Sequence, residues 1–368
     1  MRWKICKTIL SVFVLTLLSC NESGVWHRSM TLGTTANTQR RFDEAERFFL
    51  VALEETEKFE SGDKRTLETC STLAEFYHRR DRFEDAKPFY EKALVLKQMQ
   101  LGEADPEVIK DRNNLVQLCY VLNDYPQAES LGTRAMELTE SALGKDSPEL
   151  ADLLRVMGEL YQEQSRFEEA EPLFLRELKI EESDTNRFNI PMTLNNLAVF
   201  YHEWHKYAVA ESLYYRSLEM NEKKLGEKSY ELLTIILNLA GLYSETEDYF
   251  RAEQLYRRAL ELHSEHRPRS YFKRVAILNK LANVCLHQAK YFEARNNYRN
   301  ALRLIDRGTG MHPDVLEIIT NYVPLLLMTG DDDEAARLME RAQKIRQTLG
   351  INEEEKEKTG TNPADIAH

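Results

Sequence analysis

Apolar residues recur along this chain with two periods at once. Locally they fall at steps of three, four and seven, the spacing of one face of an α-helix. Over a longer range the whole pattern returns about every 42 residues: Tyr249, Ala252, Tyr256, Ala259 and Leu260 are matched by Tyr291, Ala294, Tyr298, Ala301 and Leu302. The first alanine of this signature traces through the chain as Ala45, Ala86, Ala128, Ala170, Ala210, Ala252, Ala294 and Ala335. Twelve residues before each stands a small or β-branched residue (Gly33, Ala74, Val116, Gly158, Ala198, Ala240, Ala282, Val323), and a bulky one precedes it (Leu32, Leu73, Leu115, Met157, Leu197, Leu239, Leu281, Tyr322). Three beyond the small residue comes another core type, as in Tyr77, Cys119, Tyr161, Tyr201, Tyr243, Cys285 and Leu326. A short polar turn ending in a charged residue and an aromatic, such as Arg82-Phe83, Asp124-Tyr125 or Lys206-Tyr207, joins the two halves. Each unit therefore reads as two amphipathic helices. The small residue lets them approach closely, and the aromatics fill the gap against the next pair. Eight copies predict an all-α solenoid of about eight antiparallel helical hairpins, because self-similarity at a fixed period marks such stacks.

The Leu-Gly/Ala…Tyr…Ala…Phe/Tyr…Ala pattern resembles the tetratricopeptide repeat family, from about Trp26 to Gly350. The family's usual unit has about 34 residues, and this one is longer. The extra length follows the second helix and carries Leu101-Gly102…Asp105-Pro106, Leu143-Gly144…Ser147-Pro148 and Gly310…His312-Pro313. Gly suits the left-handed stop of one helix, and Asp-Pro or Ser-Pro the cap and first turn of the next. The long unit, with its Asn195-Asn196-Leu197-Ala198 opening, resembles the kinesin light chain subclass. The resemblance implies a right-handed superhelix that holds protein segments. It does not say in which process, since such arrays serve many.

The uninterrupted repeat points to one array over residues 27–350, with a local irregularity at Asp184–Pro191 where the spacing shortens. Residues 351–368 lack an apolar face and read as a polar, disordered tail. The N-terminus differs in kind. Arg2, Lys4 and Lys7 precede an apolar run from Ile9 to Leu18 and then Ser19-Cys20. That is the order of a secretory signal over residues 1–19, and the run is too short for a membrane span. Leu17-Leu18-Ser19-Cys20 resembles the lipobox of bacterial lipoproteins, which implies lipidation of Cys20 and a short tether over residues 20–26. Leu18 departs from the smaller residue usual there. A plain secretory signal, or a short apolar helix capping a cytosolic array, are the alternatives.

Charge adds a lean rather than a site. The formal net charge is −12; removing residues 1–19 takes three positive charges and no acid, giving −15. That balance argues against nucleic acid, which needs Lys and Arg against phosphate, and leans towards neutral or basic protein partners. Long solvated helices rich in Glu explain it equally well. Cys119 and Cys285 take a first-helix core position held by Tyr in other copies, so buried free thiols are expected. With Cys70 they lie in three different repeats, which is no disulfide framework.

Little in the chain points to chemistry. His202-Glu203-Trp204-His205 lacks the i, i+4 spacing that places two ligands on one helix face, and no third ligand accompanies His263 and His266. No nucleophile elbow, phosphate loop or dinucleotide fingerprint occurs. Neither an enzymatic activity nor a cofactor or metal is expected.

The asparagines are more informative. Asn114, Asn196, Asn238 and Asn321 each precede the bulky first-helix residue; Asn113, Asn195 and Asn279 lie one position earlier, and Asn283 one turn beyond Asn279. In the family's register these positions line the concave wall. A primary amide both donates and accepts, so a ladder of them can hold an extended peptide by its backbone. Bonds to a neighbouring helix or to water are the competing explanation, against which stands the low helix propensity of Asn. Glu68, Glu75, Asp152, Glu159, Glu163, Glu203 and Glu245 against Arg79, Lys110, Arg155 and Lys280 make the same wall mixed and slightly acidic. Lys280 with Asn283 is only a fragment of the pairing that clamps a terminal carboxylate in chaperone-binding relatives, so no such ligand is expected. The expected groove residues are thus Asn113, Asn114, Arg155, Asn195, Asn196, Asn238, Asn279, Lys280, Asn283 and Asn321.

The reading that results is a protein-binding scaffold, exported and lipid-anchored, gripping an extended segment of a partner. A cytosolic adaptor is the first rival; a light chain proper would need a heptad segment before the repeats. Self-association through convex faces or array ends is the second, suggested by Leu325, Leu326, Leu327 and Met328 beside Pro324 in the last repeat.

Overall fold

The computed structural model describes residues 22–183, 190–266, 271–306 and 314–350. The expected leader, Cys20 and the tail 351–368 lie outside the described residues, as do residues 184–189 of the irregular stretch and Gly310…Pro313. Among the described residues the chain is all-α: sixteen α-helices paired as eight hairpins, with no strand, which is the solenoid architecture that the period implies.

Two compact units divide the chain, one ending at Arg187 and the other beginning at Phe188, within the stretch where the repeat spacing shortens. Unit 1 holds four hairpins: α1 (Glu22–Thr38) with α2 (Phe42–Thr56), α3 (Lys64–His78) with α4 (Phe83–Leu101), α5 (Pro106–Val121) with α6 (Tyr125–Leu143), and α7 (Ala151–Glu163) with α8 (Phe167–Ser183). Unit 2 holds α9 (Ile190–Glu203) with α10 (Tyr207–Leu225), α11 (Leu233–Glu245) with α12 (Tyr249–His266), α13 (Phe272–His287) with α14 (Tyr291–Asp306), and α15 (Asp314–Met328) with α16 (Asp332–Leu349).

One backbone device makes every hairpin turn. The residue five before each signature alanine is left-handed: Arg40, Asp81, Asn123, Ser165, His205, Glu247 and Ala289 have φ between 55° and 61°, and Gly330 has 77°. The next amide then folds back on the helix end, as in Arg82 N to Tyr77 O (3.1 Å), Asp124 N to Cys119 O (2.8 Å) and Lys290 N to Cys285 O (2.9 Å). This is the Schellman closure, which satisfies carbonyls that a helix end leaves open. The longer connections between hairpins stop differently. Gly102, Gly144 and Gly226 have φ of 91°, 94° and 86° with ψ of 158°, 164° and 152°. That is not the left-handed helical stop expected from sequence but an extended region that only glycine enters without strain. Asp105 then caps α5 by accepting from Glu107 N at 2.9 Å, with Pro106 in the first turn.

The core lies within and between the hairpins. Phe49, Phe174, Tyr214, Tyr256 and Tyr298, each four residues beyond a signature alanine, are at most 2% exposed. Burying a ring of this size stabilises by roughly 2–3 kcal/mol. The small residue opposite makes room: a Cβ on Gly158 would lie 2.8 Å from Phe174 Cε1, and one on Gly33 2.6 Å from Phe49 Cε1. At the start of unit 1, Trp26 Nε1 donates to Thr69 Oγ1 at 2.8 Å, tying α1 to α3. Cys70, Cys119 and Cys285 are buried free thiols, and burial pushes Cys119 and Cys285 up to about 11. In the last hairpin Leu325 and Leu326 are buried, against the expectation of apolar surface there, because both belong to the α15–α16 packing; Leu327 (53%) and Met328 (56%) are exposed.

Adjacent hairpins are also matched by charge. At every junction within a unit but one, the residue after the signature alanine of one hairpin pairs with the residue four before the signature alanine of the next; the exception is Glu211 and Asp248, two acids that Arg251 bridges at 3.1 Å each. In unit 1 these are Glu46–Arg82 (3.0 Å), Lys87–Asp124 (2.5 Å) and Glu129–Arg166 (2.9 Å). In unit 2 they are Glu253–Lys290 (2.5 Å) and Arg295–Asp331 (2.5 Å). The sign reverses at Lys87 and Arg295. Partly exposed pairs each contribute only about 0–1 kcal/mol, but the alternation penalises wrong neighbours.

Candidate functional site

In unit 2 the first helices of three consecutive hairpins, α9, α11 and α13, line an open groove of about 670 Å³. Its floor is made by Tyr214 of α10 and Tyr256 of α12, the buried aromatics of two successive signatures. Gly241 of α11 faces it with no atom within 4 Å of where a Cβ would stand. Its rim carries His202 and Glu203 of α9, Asn238 and Glu245 of α11, and Lys273 and Lys280 of α13. His202 Nε2 and Glu245 Oε2 lie 2.9 Å apart, a contact that ties α9 to α11 across the rim. Lys273 and Lys280 are exposed and two turns apart on one face of α13. The Tyr214 hydroxyl is buried without a hydrogen-bond partner, and burial raises its ionisation far above the usual phenol range.

The expected groove residues do not all converge on this site. Asn238 and Lys280 line it. Asn238 Nδ2 also donates to Asn195 Oδ1 at 3.1 Å, so these two amides join α11 to α9. The same register gives a second link: Asn321 Nδ2 reaches Asn279 Oδ1 at 3.5 Å, and Asn279 Nδ2 donates to Glu317 Oε1 at 2.8 Å, joining α15 to α13. Asn279 is only 3% exposed, and Asn283 accepts from the Tyr298 hydroxyl. Asn196 is half-buried on α9. In unit 1, Asn113 is half-buried with an unpartnered buried Oδ1, Asn114 is exposed, and Arg155 donates to Glu159 Oε1 at 3.1 Å. Part of the amide ladder therefore joins neighbouring hairpins.

Tyr214, Gly241 and Lys273 are among the groove residues that the sequence reading did not single out, and Tyr256 entered it only as a repeat aromatic. The tyrosines repeat as core aromatics, and nothing local says that two of them also floor a groove.

The side chains considered for chemistry are engaged in structural bonds. His205 Nδ1 meets the Tyr207 hydroxyl at 2.8 Å while His202 faces Glu245, so the two rings are not turned to a shared point. His263 and His266 both pack against Tyr230. Among the described residues one cluster, Glu253, Cys285 and Glu293, brings ligand-type atoms within 4.8 Å of one another. Its central carboxylate is already filled. Glu253 Oε1 accepts from Arg257 at 2.9 and 2.7 Å, and Oε2 accepts from Gln288 at 2.9 Å and Lys290 at 2.5 Å. A cation there would have to displace two cations.

Eight hairpins of this build, stacked through matched side chains within each unit, define a helical-repeat scaffold. Profiles of the tetratricopeptide repeat match residues 66–107, 109–183, 189–265 and 274–348. The chain belongs to the tetratricopeptide repeat family. No curated protein matches it in sequence. Among solved structures it is similar to BtubC (BKLC) from P. vanneervenii, with a TM-score of 0.52 and 19% identity over 69% of this chain and 94% of that one. A putative kinesin light chain from Podosopora anserina, with nearly identical repeats of this type, gives 0.50 and 17% over 56% and 99%. The apo form of RapI gives 0.57 and 14% over 89% and 99%. At these identities the likeness is one of fold. That fold is a protein-interaction scaffold, and kinesin-light-chain-type repeats are among its neighbours.

Proposed function

We propose that this chain is a non-enzymatic scaffold whose groove in unit 2 holds an extended peptide segment of a partner protein. The observation that carries the reading is the open groove of about 670 Å³ over α9, α11 and α13, with an aromatic floor and a polar rim. An apolar floor accepts a side chain, while rim amides and charges bond a peptide backbone that has no helix or sheet of its own. Asn238 is the rim amide assigned to this role; Asn279 and Asn283 are assigned to holding hairpins together. Glu203 and Glu245 balance Lys273 and Lys280, which suits a largely neutral segment. The net charge of −12 favours neutral or basic partners and disfavours nucleic acid.

Gly241→Leu tests the reading cleanly. The new side chain enters open space in the groove, and replacing a mid-helix glycine by leucine stabilises a helix by about 0.5–1 kcal/mol. Crosslinking followed by mass spectrometry should lose a partner in this variant while its thermal stability rises. Recovery of the same partners by a folded Gly241→Leu protein would move the function to another surface.

From residues 1–20 we further propose export and a lipid anchor on Cys20. Among the described residues no helix is long and apolar enough to cross a membrane, so membrane attachment on this reading depends on the lipid. A Cys20→Ala protein should leave the membrane fraction; if it stays there, the anchor is not Cys20.

A further inference from the structure

Seven residues beyond each signature alanine, the second helix of a hairpin enters its tightest packing. The slot is filled by Ala52, Ala93, Ala135, Ala259, Ala301 and Ala342, and in unit 2 once by Ser217, all at most 4% exposed. In α8 the same slot holds Glu177, which is 3% exposed. Ser217 satisfies its hydroxyl by donating to Pro191 O at 2.5 Å. Glu177 has no such remedy, for its Oε2 is buried without a partner. One turn further on, Glu181 is buried too, at 4%.

The charged groups whose fields act most strongly on Glu177 are Glu181 on its own helix and Arg155, Glu159 and the exposed Asp152 on α7. Only Arg155 is cationic, and its guanidinium is already engaged by Glu159 at 3.1 Å. Glu149, on the turn leading into α7, is exposed, and its carboxylate accepts from Ser147. Glu140 of the preceding hairpin is engaged by Arg176 at 2.5 Å. An ionised carboxylate in this setting would be desolvated with one oxygen unpartnered, and the cation facing it, Arg155, is already shared with Glu159.

We propose that Glu177 is a proton-operated latch in the last hairpin of unit 1: protonated, it lets α8 seat in the alanine slot and leaves Arg155 with Glu159; ionised, it draws Arg155 inward and loosens α8 from α7. The latch is independent of what the groove in unit 2 holds. Burial, followed by the charge of Glu181, pushes the Glu177 carboxyl up to about 8, which puts its operating range near neutrality. The sign follows from linkage. A carboxyl whose ionisation is raised in the folded state gives stability that is fully present below its unfolded value. That stability is lost as pH rises towards the folded one. Opening of α7–α8 should therefore increase about tenfold per pH unit from about pH 5, just above the ordinary carboxyl value, up to near pH 8, then level off.

Hydrogen exchange followed by mass spectrometry on the full chain, corrected for the intrinsic pH dependence of exchange, reads this directly. In the wild type, peptides from residues 151–183 should lose protection with rising pH relative to those from residues 64–101. In Glu177→Gln, which keeps the shape and cannot ionise, the two regions should respond alike. Glu177→Ala, which restores the slot residue, should also abolish the pH response and raise protection. The latch is refuted if the wild type shows no regional pH response, or if either variant keeps it.

Discussion

Ala289 sits left-handed, at φ 55°, in the turn of the α13–α14 hairpin, with its side chain exposed. An L-residue held in that conformation costs about 1–2 kcal/mol against the right-handed well. Glycine escapes the penalty but widens the unfolded ensemble, which returns about 0.4–1 kcal/mol. Ala289→Gly should thus stabilise unit 2 by roughly 0.5–1 kcal/mol, a shift of about 1–4 °C in Tm for a unit of this size. The reciprocal experiment lies one hairpin further on. Gly330 occupies the same register at φ 77°, with no atom within 4 Å of where a Cβ would stand, so Gly330→Ala adds backbone strain without a clash. It should lower stability by about 1 kcal/mol. Ala336→Gly, on the exposed face of right-handed α16, controls for glycine flexibility alone and should cost about 1 kcal/mol. Guanidinium titrations followed by far-ultraviolet circular dichroism would measure all three, with unchanged slope as the sign that only stability moved. If Ala289→Gly lowers the midpoint, or Gly330→Ala leaves it where it was, the left-handed turn is not the constraint that sets these positions.

Two further outcomes are expected. Arg82→Glu should destabilise unit 1 by placing two acids together at Glu46, and adding Glu46→Arg should recover about 0.5–1 kcal/mol of coupling in a double-mutant cycle. A cycle with no coupling would mean that the inter-hairpin charge pattern is incidental. Cys119 and Cys285, buried and with thiols raised to about 11, should resist maleimide near neutral pH until the chain is unfolded; peptide mapping that finds them modified in the native protein would contradict their burial.

The helices and their pairing were legible in the sequence because they rest on local spacing. Residues three, four and seven apart share a helix face whatever the rest of the chain does, so the signature alanines and their bulky partners mark eight hairpins without reference to a structure. The left-handed backbone within each turn was not legible. Arg40, Asp81, Asn123, Ser165, His205, Glu247 and Ala289 have no side-chain chemistry in common; what they share is a backbone angle. Glu177 stands out as a break in the alanine column, but its meaning depends on Arg155 and Glu159 facing it from another helix.

The asparagine register likewise follows from sequence, whereas its partners do not. Asn195 meets Asn238 across 43 positions and Asn279 meets Glu317 across 38. Tyr214 and Tyr256 read as core aromatics, and only their placement beneath three successive first helices makes them the floor of a groove. Which segments are helical, where each hairpin turns and which face it buries are all set within a few residues, so the order of amino acids is enough to settle them. Which amides pair, which charges meet and where the groove opens are settled only in the folded chain. Those outcomes depend on how far each hairpin rotates and shifts against the next, and that is fixed by the simultaneous packing of side chains some 40 positions apart.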